Sequence, residues 1–166
     1  NSIIPVGGVP TGGGGGIIQI VEDSTTTTAT NTTTTFVDTN LSGTITPISS
    51  SSKVLVIVQQ QMFFANNASG TGAGVNILRG STEIYNAPKN SVGSYGQFIS
   101  GGGLSTLSHH YTKVLHFLDS PNTTSATTYK TQFAMYEAGN NGSAIVQNAS
   151  SPVNAKSFIY LMEVSA

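Results

Sequence analysis

The residues of this 166-residue sequence best suited to metal binding or acid–base catalysis are three histidines, His109, His110 and His116. In an extended strand His110 and His116 share a face but lie about 20 Å apart, while His109 points to the opposite face. One chain therefore cannot bring all three to a single metal ion. We interpret them as ordinary strand histidines with local hydrogen bonds. The alternative is a symmetry axis at which one histidine from each copy meets a metal ion or an anion.

Other catalytic patterns are missing from the sequence. Its seven acidic residues show no spacing that suggests a pair of catalytic carboxylates, and we expect Asp38 and Asp119 to cap turns. No Gly-x-Ser-x-Gly nucleophile elbow occurs. The Gly-rich stretches 70–74 and 101–103 lack the Lys and Ser/Thr of a phosphate-binding loop. We predict no enzymatic activity, no catalytic residue, no cofactor and no metal.

Aromatic residues beside small polar residues suggest a further possibility. Tyr85, Tyr95 and Phe98 lie in or near segments rich in Gly, Ser and Asn, where rings, amides and hydroxyls could together contact a sugar. Packing in a core or an interface is the commoner role of such rings. A contact with a host surface glycan therefore stays an alternative.

The composition excludes several classes of partner. Only 8% of the residues are charged, against about 25% in ordinary domains, and six basic and seven acidic residues give a net charge of −1. Nucleic-acid binding needs a basic surface, and anionic membranes attract polybasic segments, so we predict neither partner. No apolar run reaches the ~20 residues of a membrane span, and we expect no secretory signal at the N-terminus. The absence of cysteine excludes disulfides.

The elements that position these residues are predicted to be short strands. Thr, Val, Ile, Tyr and Phe dominate between turn-forming Gly, Pro, Asn and Ser, and no segment has a helical period. Many strands without helices indicate an antiparallel sandwich or barrel. The Thr-rich run within 25–36 is predicted to be one strand, at a sheet edge or paired with another chain. The predicted strands are 17–21, 25–36, 41–46, 53–64, 74–79, 83–86, 97–100, 109–118, 127–137, 143–148 and 156–164.

The alternation of apolar residues indicates assembly with another chain. The strand at 129–137 has one apolar face and one mostly polar face, as in a half-buried strand. Those at 54–58 and 158–162 are apolar on both faces, and that at 114–118 is nearly so. A sandwich covers only one face of each sheet, so another chain or a loop folded back must cover the second. We predict a homo-oligomer, with candidate oligomer-facing strands marked by these residues: Val54, Val56, Val58, Leu115, Phe117, Ile159 and Leu161.

Residues 1–16 differ from the rest and are predicted to form an extended N-terminal arm, followed by a β-sandwich domain over 17–166. Pro5 and Pro10 disfavour a helix, and the glycines at 12–16 have no side chains to pack. The segment is either a flexible linker or an arm held by another chain. We favour the arm, with these candidate anchors: Ile3, Ile4, Pro5, Val6, Val9 and Pro10.

Eight short segments are informative because of the order in which they occur along the chain. The segments are Gly16–Val21, Phe36–Thr39, Leu41–Pro47, Ser50–Val56, Leu78–Thr82, Leu118–Pro121, Thr128–Lys130 and Tyr160–Val164. No single segment is specific. In this order they resemble a β-sandwich domain of tail-fibre-like and other virion-surface proteins of tailed bacteriophages, over about residues 16–166.

This resemblance implies a jelly-roll-like sandwich that is usually a homotrimer and performs no catalysis. It also implies a location on the outer surface of a virion. With only a short arm and one domain, we expect a capsid decoration or cement protein, held through its arm by the major capsid protein or other virion proteins. One alternative is a tail-fibre or receptor-binding tip that contacts host glycans. A second is a secreted bacterial adhesin or lectin.

Overall fold

A computed structural model describes residues 15–66, 71–86, 98–99, 107–135, 142–148 and 155–166. These residues form eleven β-strands. Among them there is no helix of the length and hydrophobicity needed to cross a membrane. The strands are β1 (Ile17–Thr25), β2 (Ala29–Asn31), β3 (Val37–Ile45), β4 (Lys53–Asn66), β5 (Thr71–Arg79), β6 (Thr82–Tyr85), β7 (Phe98–Ile99), β8 (Leu107–Asp119), β9 (Thr127–Met135), β10 (Ser143–Val146) and β11 (Ser157–Val164).

Six strands form the first sheet, called sheet A, around the long strand β4. On one side β4 pairs with β8 along its whole length. On the other side β11 pairs with the first half of β4 and β10 with the second half. Strand β1 lies outside β11, and β2 lies outside β10. All these pairings are antiparallel. Along the first half of β4, the strands of sheet A lie in the order β1, β11, β4, β8.

Five strands form the second sheet, called sheet B, with the order β3, β9, β5, β6 and with β7 paired to the start of β5. The pairings in sheet B are also antiparallel. Apolar side chains from both sheets meet between them; Val56 and Ile159 come from sheet A, and Ile77 and Phe133 from sheet B. The predicted all-β, antiparallel, jelly-roll-like sandwich is confirmed.

Most predicted strands are confirmed, but the single strand over 25–36 is wrong. Strand β1 ends at Thr25, β2 covers only three residues, and β3 begins at Val37. The reason is the Asn31 side chain, which is buried and bonded to the backbone of the following turn. Its Nδ2 donates to Thr35 O at 2.8 Å, and its Oδ1 accepts from Thr33 N at 2.8 Å. Such an Asx turn competes with a continuing strand despite the strand propensity of Thr.

Candidate functional site

A buried network of hydrogen bonds between uncharged polar side chains lies between the two sheets. It is built from five residues that are at most 1% exposed: Thr39, Gln60, Thr131, Gln147 and Ser157. Gln60 of β4 forms the contact between sheets, since its Nε2 donates to Ser157 Oγ at 2.9 Å and its Oε1 accepts from Thr131 Oγ1 at 3.0 Å. Thr131 also bonds to the Thr39 hydroxyl.

Gln147, just after β10, extends this network. Its amide is assigned with the oxygen toward Ser157 Oγ and Gln60 Nε2, at 2.8 and 2.6 Å, because its nitrogen then donates to Thr27 O and Thr39 O at 3.0 and 3.1 Å. Its backbone is left-handed, with φ of 47°. Every member of the network has partners, and none is open to solvent. The arrangement can fix the position of one sheet on the other, but it offers no group to a substrate.

A second polar link between the sheets lies at the end of β8. Asp119 is buried and accepts from Arg79 Nη1 at 2.8 and 3.0 Å and from the Tyr129 hydroxyl at 2.7 Å. Burial and the hydrogen bond to the Asp119 carboxylate raise the pKa of Tyr129 above its usual range. The prediction that Asp119 caps a turn is wrong, because its carboxylate is bound by side chains of sheet B.

Glu163 of β11 is a buried carboxylate bonded to the loop before β4. It accepts from the backbone N–H of Ile48 at 2.8 Å and of Ser49 at 3.3 Å. In the assignment that satisfies its neighbours, Gln19 also donates to it at 3.2 Å. These donors compensate the cost of burying the carboxylate. Glu163 therefore attaches a loop to the sheet.

The prediction that Asp38 caps a turn is also wrong. Asp38 lies on the outer face of sheet B, where its carboxylate accepts from Lys130 Nζ at 2.9 Å and from Gln132 Nε2 at 2.7 Å. Partial burial opposes ionisation, but these hydrogen bonds and the Lys130 charge together lower the pKa of Asp38. A bulge follows in β3, with Asn40 in the left-handed region at φ of 65°.

The bulge forms a shallow pocket of about 120 Å³. Ligand pockets measure about 300–1,000 Å³, so this one is too small for a typical organic ligand. Its two charged groups already neutralise each other as an ion pair. The lining residues are Asp38, Asn40, Leu41, Ser42, Lys130 and Thr131.

The three histidines are placed as the sequence predicts, on β8 with His109 on one face and His110 and His116 on the other. The ring centroids of His110 and Phe63 are 4.5 Å apart, and those of His109 and Phe64 are 5.6 Å apart. No group of three or more His, Cys, Asp or Glu residues that could hold a metal ion occurs in the part of the chain that the structure describes. A metal at a symmetry axis concerns contacts between copies and stays a prediction.

Tyr111 lies beside His109, with ring centroids 5.7 Å apart and nearly parallel planes. Burial raises the pKa of Tyr111 above its usual range. Neither the Tyr111 hydroxyl nor His109 Nε2 has a hydrogen-bond partner among the described residues. Burial without a partner costs roughly 1–3 kcal/mol for each group.

Of the predicted sugar-contacting residues, only the Tyr85 side chain is described. It is partly buried against the core, and its ring lies 6.3 Å from that of Phe117. The alternative of core packing thus holds for Tyr85. Tyr95 lies outside the described residues, as does the side chain of Phe98.

The seven residues that mark the candidate oligomer-facing strands lie in the core of the sandwich or against it. Six are core residues at most 3% exposed, and Phe117 packs partly buried against them. The physical reason is strand parity: even positions of β4 and odd positions of β8 and β11 face sheet B. Side chains at the alternate positions point away from the sandwich. The prediction that these strands meet another chain is not tested by this placement. The core residues are Val54, Val56, Val58, Leu115, Ile159 and Leu161.

We call the alternate side chains of β1, β11, β4 and β8 the outer face of sheet A. Pairing aligns them in three rows across the four strands. Five of the seven exposed large apolar residues in the described chain belong to β1 or β8, at 47–61% exposure: Ile17, Ile18, Ile20, Val114 and Leu118. The rows are Ile20–Met162–Leu55–Leu118, Glu22–Tyr160–Ile57–His116 and Ser24–Phe158–Gln59–Val114.

The predicted arm anchors, Ile3 to Pro10, lie outside the described residues. The described chain starts at Gly15, and its first residues contact Ser165. Gly16 N donates to Ser165 Oγ at 3.1 Å, and Ser165 N donates to Gly16 O at 3.0 Å. At Gly15 a Cβ atom would stand 1.8 Å from Ser165 O, so only glycine fits. The chain thus enters the sandwich beside the end of β11.

Comparisons with known proteins give a limited result. No protein-family model and no curated protein matches the chain. Among solved structures it is similar to the infectious bursal virus T=1 particle, with 10% identity and a TM-score of 0.42 over 90% of this chain and 37% of that one. For the T13 infectious bursal disease virus particle the values are 11%, 0.41, 89% and 38%. The chain thus spans well under half of these proteins, and at such scores the likeness carries no argument about function.

Proposed function

We propose that this chain is a non-catalytic structural protein on the outer surface of a virion, namely a capsid decoration protein of a tailed bacteriophage. The observation that carries the proposal is the outer face of sheet A, whose large apolar side chains are exposed on β1 and β8 and partly exposed on β11 and β4 between them. Contiguous apolar patches on soluble proteins mark surfaces that contact other proteins or membranes. A net charge of −1 gives the chain little attraction for anionic lipid, so we assign this face to protein–protein assembly.

The buried polar groups support a structural role rather than a catalytic one. Gln60 bonds to Ser157 within sheet A and to Thr131 of sheet B, and Asp119 is held by Arg79 and Tyr129 of sheet B. A general acid or nucleophile must reach its substrate, whereas these groups are closed off by the packing around them. These bonds join one sheet to the other, which is the work of structural rather than catalytic groups.

The virion and the attachment mode are supported by the sequence resemblance and by the arm. Gly15 and Gly16 are fixed against Ser165, so an arm over 1–14 would begin at a defined place beside the end of β11. The anchors proposed within it are Ile3, Ile4, Val6 and Val9, and the proposed partner is the major capsid protein. Several copies of the chain would bind together and strengthen weak individual contacts by avidity.

The test is a deletion of residues 1–14, which leaves Gly15, Gly16 and their contacts with Ser165 intact. The full chain and the deletion variant are mixed with virions stripped of the protein, and binding is measured by co-sedimentation and immunogold labelling. We expect the full chain to label capsids and the variant to lose binding while keeping its circular dichroism spectrum and its mass in solution.

Two outcomes would contradict the proposal. Equal binding by the deletion variant would exclude attachment through the arm. Labelling of tail tips or host cells instead of capsids would exclude decoration and favour the receptor-binding alternative.

A further inference from the structure

The rows across the outer face of sheet A have complementary ends. In the middle row, β1 contributes the acidic Glu22 and β8, at the opposite edge, contributes His116, whose ring N–H can donate to a carboxylate. Between these two lie Tyr160 and Ile57. The rows on either side carry apolar residues at their β8 ends, Leu118 and Val114, both about half exposed.

This pattern is self-complementary under one particular rotation. A twofold axis lying in the face, close to the strand direction and between β11 and β4, places β1 of one copy over β8 of the other. A closed twofold pair has no translation along its axis, so equivalent rows meet. Glu22 then faces the His116 of the second copy, and Ile20 faces its Leu118. We infer that the outer face of sheet A packs against the same face of a second copy of this chain about this axis.

Other arrangements match less well. A twofold axis perpendicular to the strands, along the middle row, would place Glu22 opposite the Glu22 of the second copy, and facing like charges are unfavourable. A trimer would need this face to meet a different surface of its neighbour, because threefold contacts are heterologous. The pairing of an acidic edge with a donor edge on one face predicts contact between identical faces.

The borders of the face resemble the rim of an interface. On one side of the apolar rows the Thr112 hydroxyl donates to Gln61 Oε1 at 3.1 Å, and on the other side stands Lys53, paired with Val164. Four strands and five rows, rim included, cover roughly 30 Å by 20 Å, or about 600 Å² on each copy. That area is the lower end of specific interfaces. We therefore expect a reversible dimer with a Kd on the order of micromolar.

This inference rests on the proposed function, since it names the occupant of the assembly surface. The first test is sedimentation equilibrium of the full chain and of two matched variants. Ile20→Lys places a charge in the proposed contact, whereas Val37→Lys makes the same change at an exposed apolar residue of sheet B. We expect a dimer for the wild type, at least about a tenfold higher Kd for Ile20→Lys, and no change for Val37→Lys.

The second test distinguishes this axis from other ways of covering the face. In His116→Glu, the new glutamate of each copy would face Glu22 of the other. These two repulsive contacts would raise the Kd of the dimer by about tenfold or more. Adding Glu22→Lys to that variant would restore opposite charges and recover most of the affinity. Because both residues are exposed, the variants should keep the wild-type unfolding midpoint.

The outcomes separate this inference from the proposed function. A monomeric or trimeric wild type, or a double variant as weak as His116→Glu alone, overturns the twofold pair. If such a chain still labels capsids, the decoration function stands and only the pairing fails. A dimer that never labels capsids supports the twofold pair and contradicts the decoration function.

Discussion

The outer faces of the two sheets differ in chemistry although they belong to one sandwich. On sheet B, the Asp38 carboxylate accepts from Lys130 and from Gln132, and the Thr44 and Thr128 hydroxyls lie 2.8 Å apart. On sheet A the corresponding surface carries Leu55, Ile57, Phe158, Tyr160 and Met162. An antiparallel sheet with one solvated face alternates polar and apolar residues, as β3 and the first part of β9 do in sheet B. Sheet A departs from that rule, so water is not the environment that its outer face fits best.

The interior polar network supports this comparison, because it shows that β4 is not one residue out of register. A slip by one residue would exchange the faces and bring Gln60 outside and Ile57 inside. In the observed register, however, Gln60 has partners in both sheets. The apolar outer face is therefore a property of the fold and not a consequence of misplaced polar residues.

The largest expected effect tests that register. Gln60→Leu removes the donor to Ser157 and the acceptor for Thr131, and leaves both hydroxyls buried without these partners. We expect a loss of about 3 kcal/mol in the free energy of unfolding, measured by denaturant titration. Gln59→Leu, on the outer face of the same strand, is the control and should cause no loss. Equal losses in the two variants would contradict the assignment of inner and outer faces.

The next effect exchanges the chemistry of the two outer faces. Ile57→Thr gives sheet A a residue typical of sheet B, and we expect it to weaken self-association about tenfold or more with little change in the unfolding midpoint. Thr44→Ile gives sheet B an exposed apolar residue and should leave the dimer affinity unchanged. Light scattering over a concentration series measures both. If the Ile57→Thr variant associates as strongly as the wild type, the outer face of sheet A is not the surface of self-association.

A smaller effect is expected at the second link between the sheets. Tyr129→Phe removes the hydroxyl that donates to the buried Asp119 carboxylate, and should lower the free energy of unfolding by about 1–2 kcal/mol. Tyr160→Phe, on the outer face of sheet A, is the matched control and should stay within about 0.5 kcal/mol of the wild type. Thermal unfolding of the two variants measures both effects. A larger loss of stability in Tyr160→Phe than in Tyr129→Phe would contradict this prediction.

The smallest effect concerns the polar face of sheet B. The pKa of Asp38 is lowered from its ordinary value of 3.8, so its ionised form stabilises the folded protein above that pH and the stabilisation is lost as the pH falls through the folded-state pKa. Because Asp38 is half exposed, Asp38→Asn should cost less than about 1 kcal/mol at pH 7. Unfolding curves at pH 7 and pH 3 check this. A difference that grows on acidification would have the wrong sign.

The sequence predicted the strands well where alternation or turn residues were strong. Strand β9 alternates clearly, and β4 and β11 were found from their Val, Ile and Leu content. Five consecutive apolar residues at 54–58, however, contain no information on which face is inside, so the sequence indicates such a strand without distinguishing its core-facing residues from its outward-facing ones. A longer window does not settle the faces either, because Gln59, Gln60 and Gln61 occupy both odd and even positions of β4.

The polar network and the ion pairs could not be predicted, because their partners are far apart in sequence. Gln60, Thr131 and Ser157 are ordinary members of a chain rich in Gln, Thr and Ser, and only the sheet pairing brings them together. Asp38 and Asp119 stand near turn residues, which suggested capping, while their true partners lie on other strands. Local sequence thus predicted the elements but not the contacts between them.

Oxidation of Met162 tests most directly whether another chain covers the outer face of sheet A. Met162 lies on that face, whereas Met62 and Met135 lie in the core and serve as internal references. Dilute chain, concentrated chain and assembled particles are treated with hydrogen peroxide, and sulfoxide at each methionine is measured by mass spectrometry. We predict that Met162 oxidises readily in dilute chain and is protected at high concentration and in particles, with Met62 and Met135 slow throughout. Equal oxidation of Met162 in all three samples would contradict the assembly account.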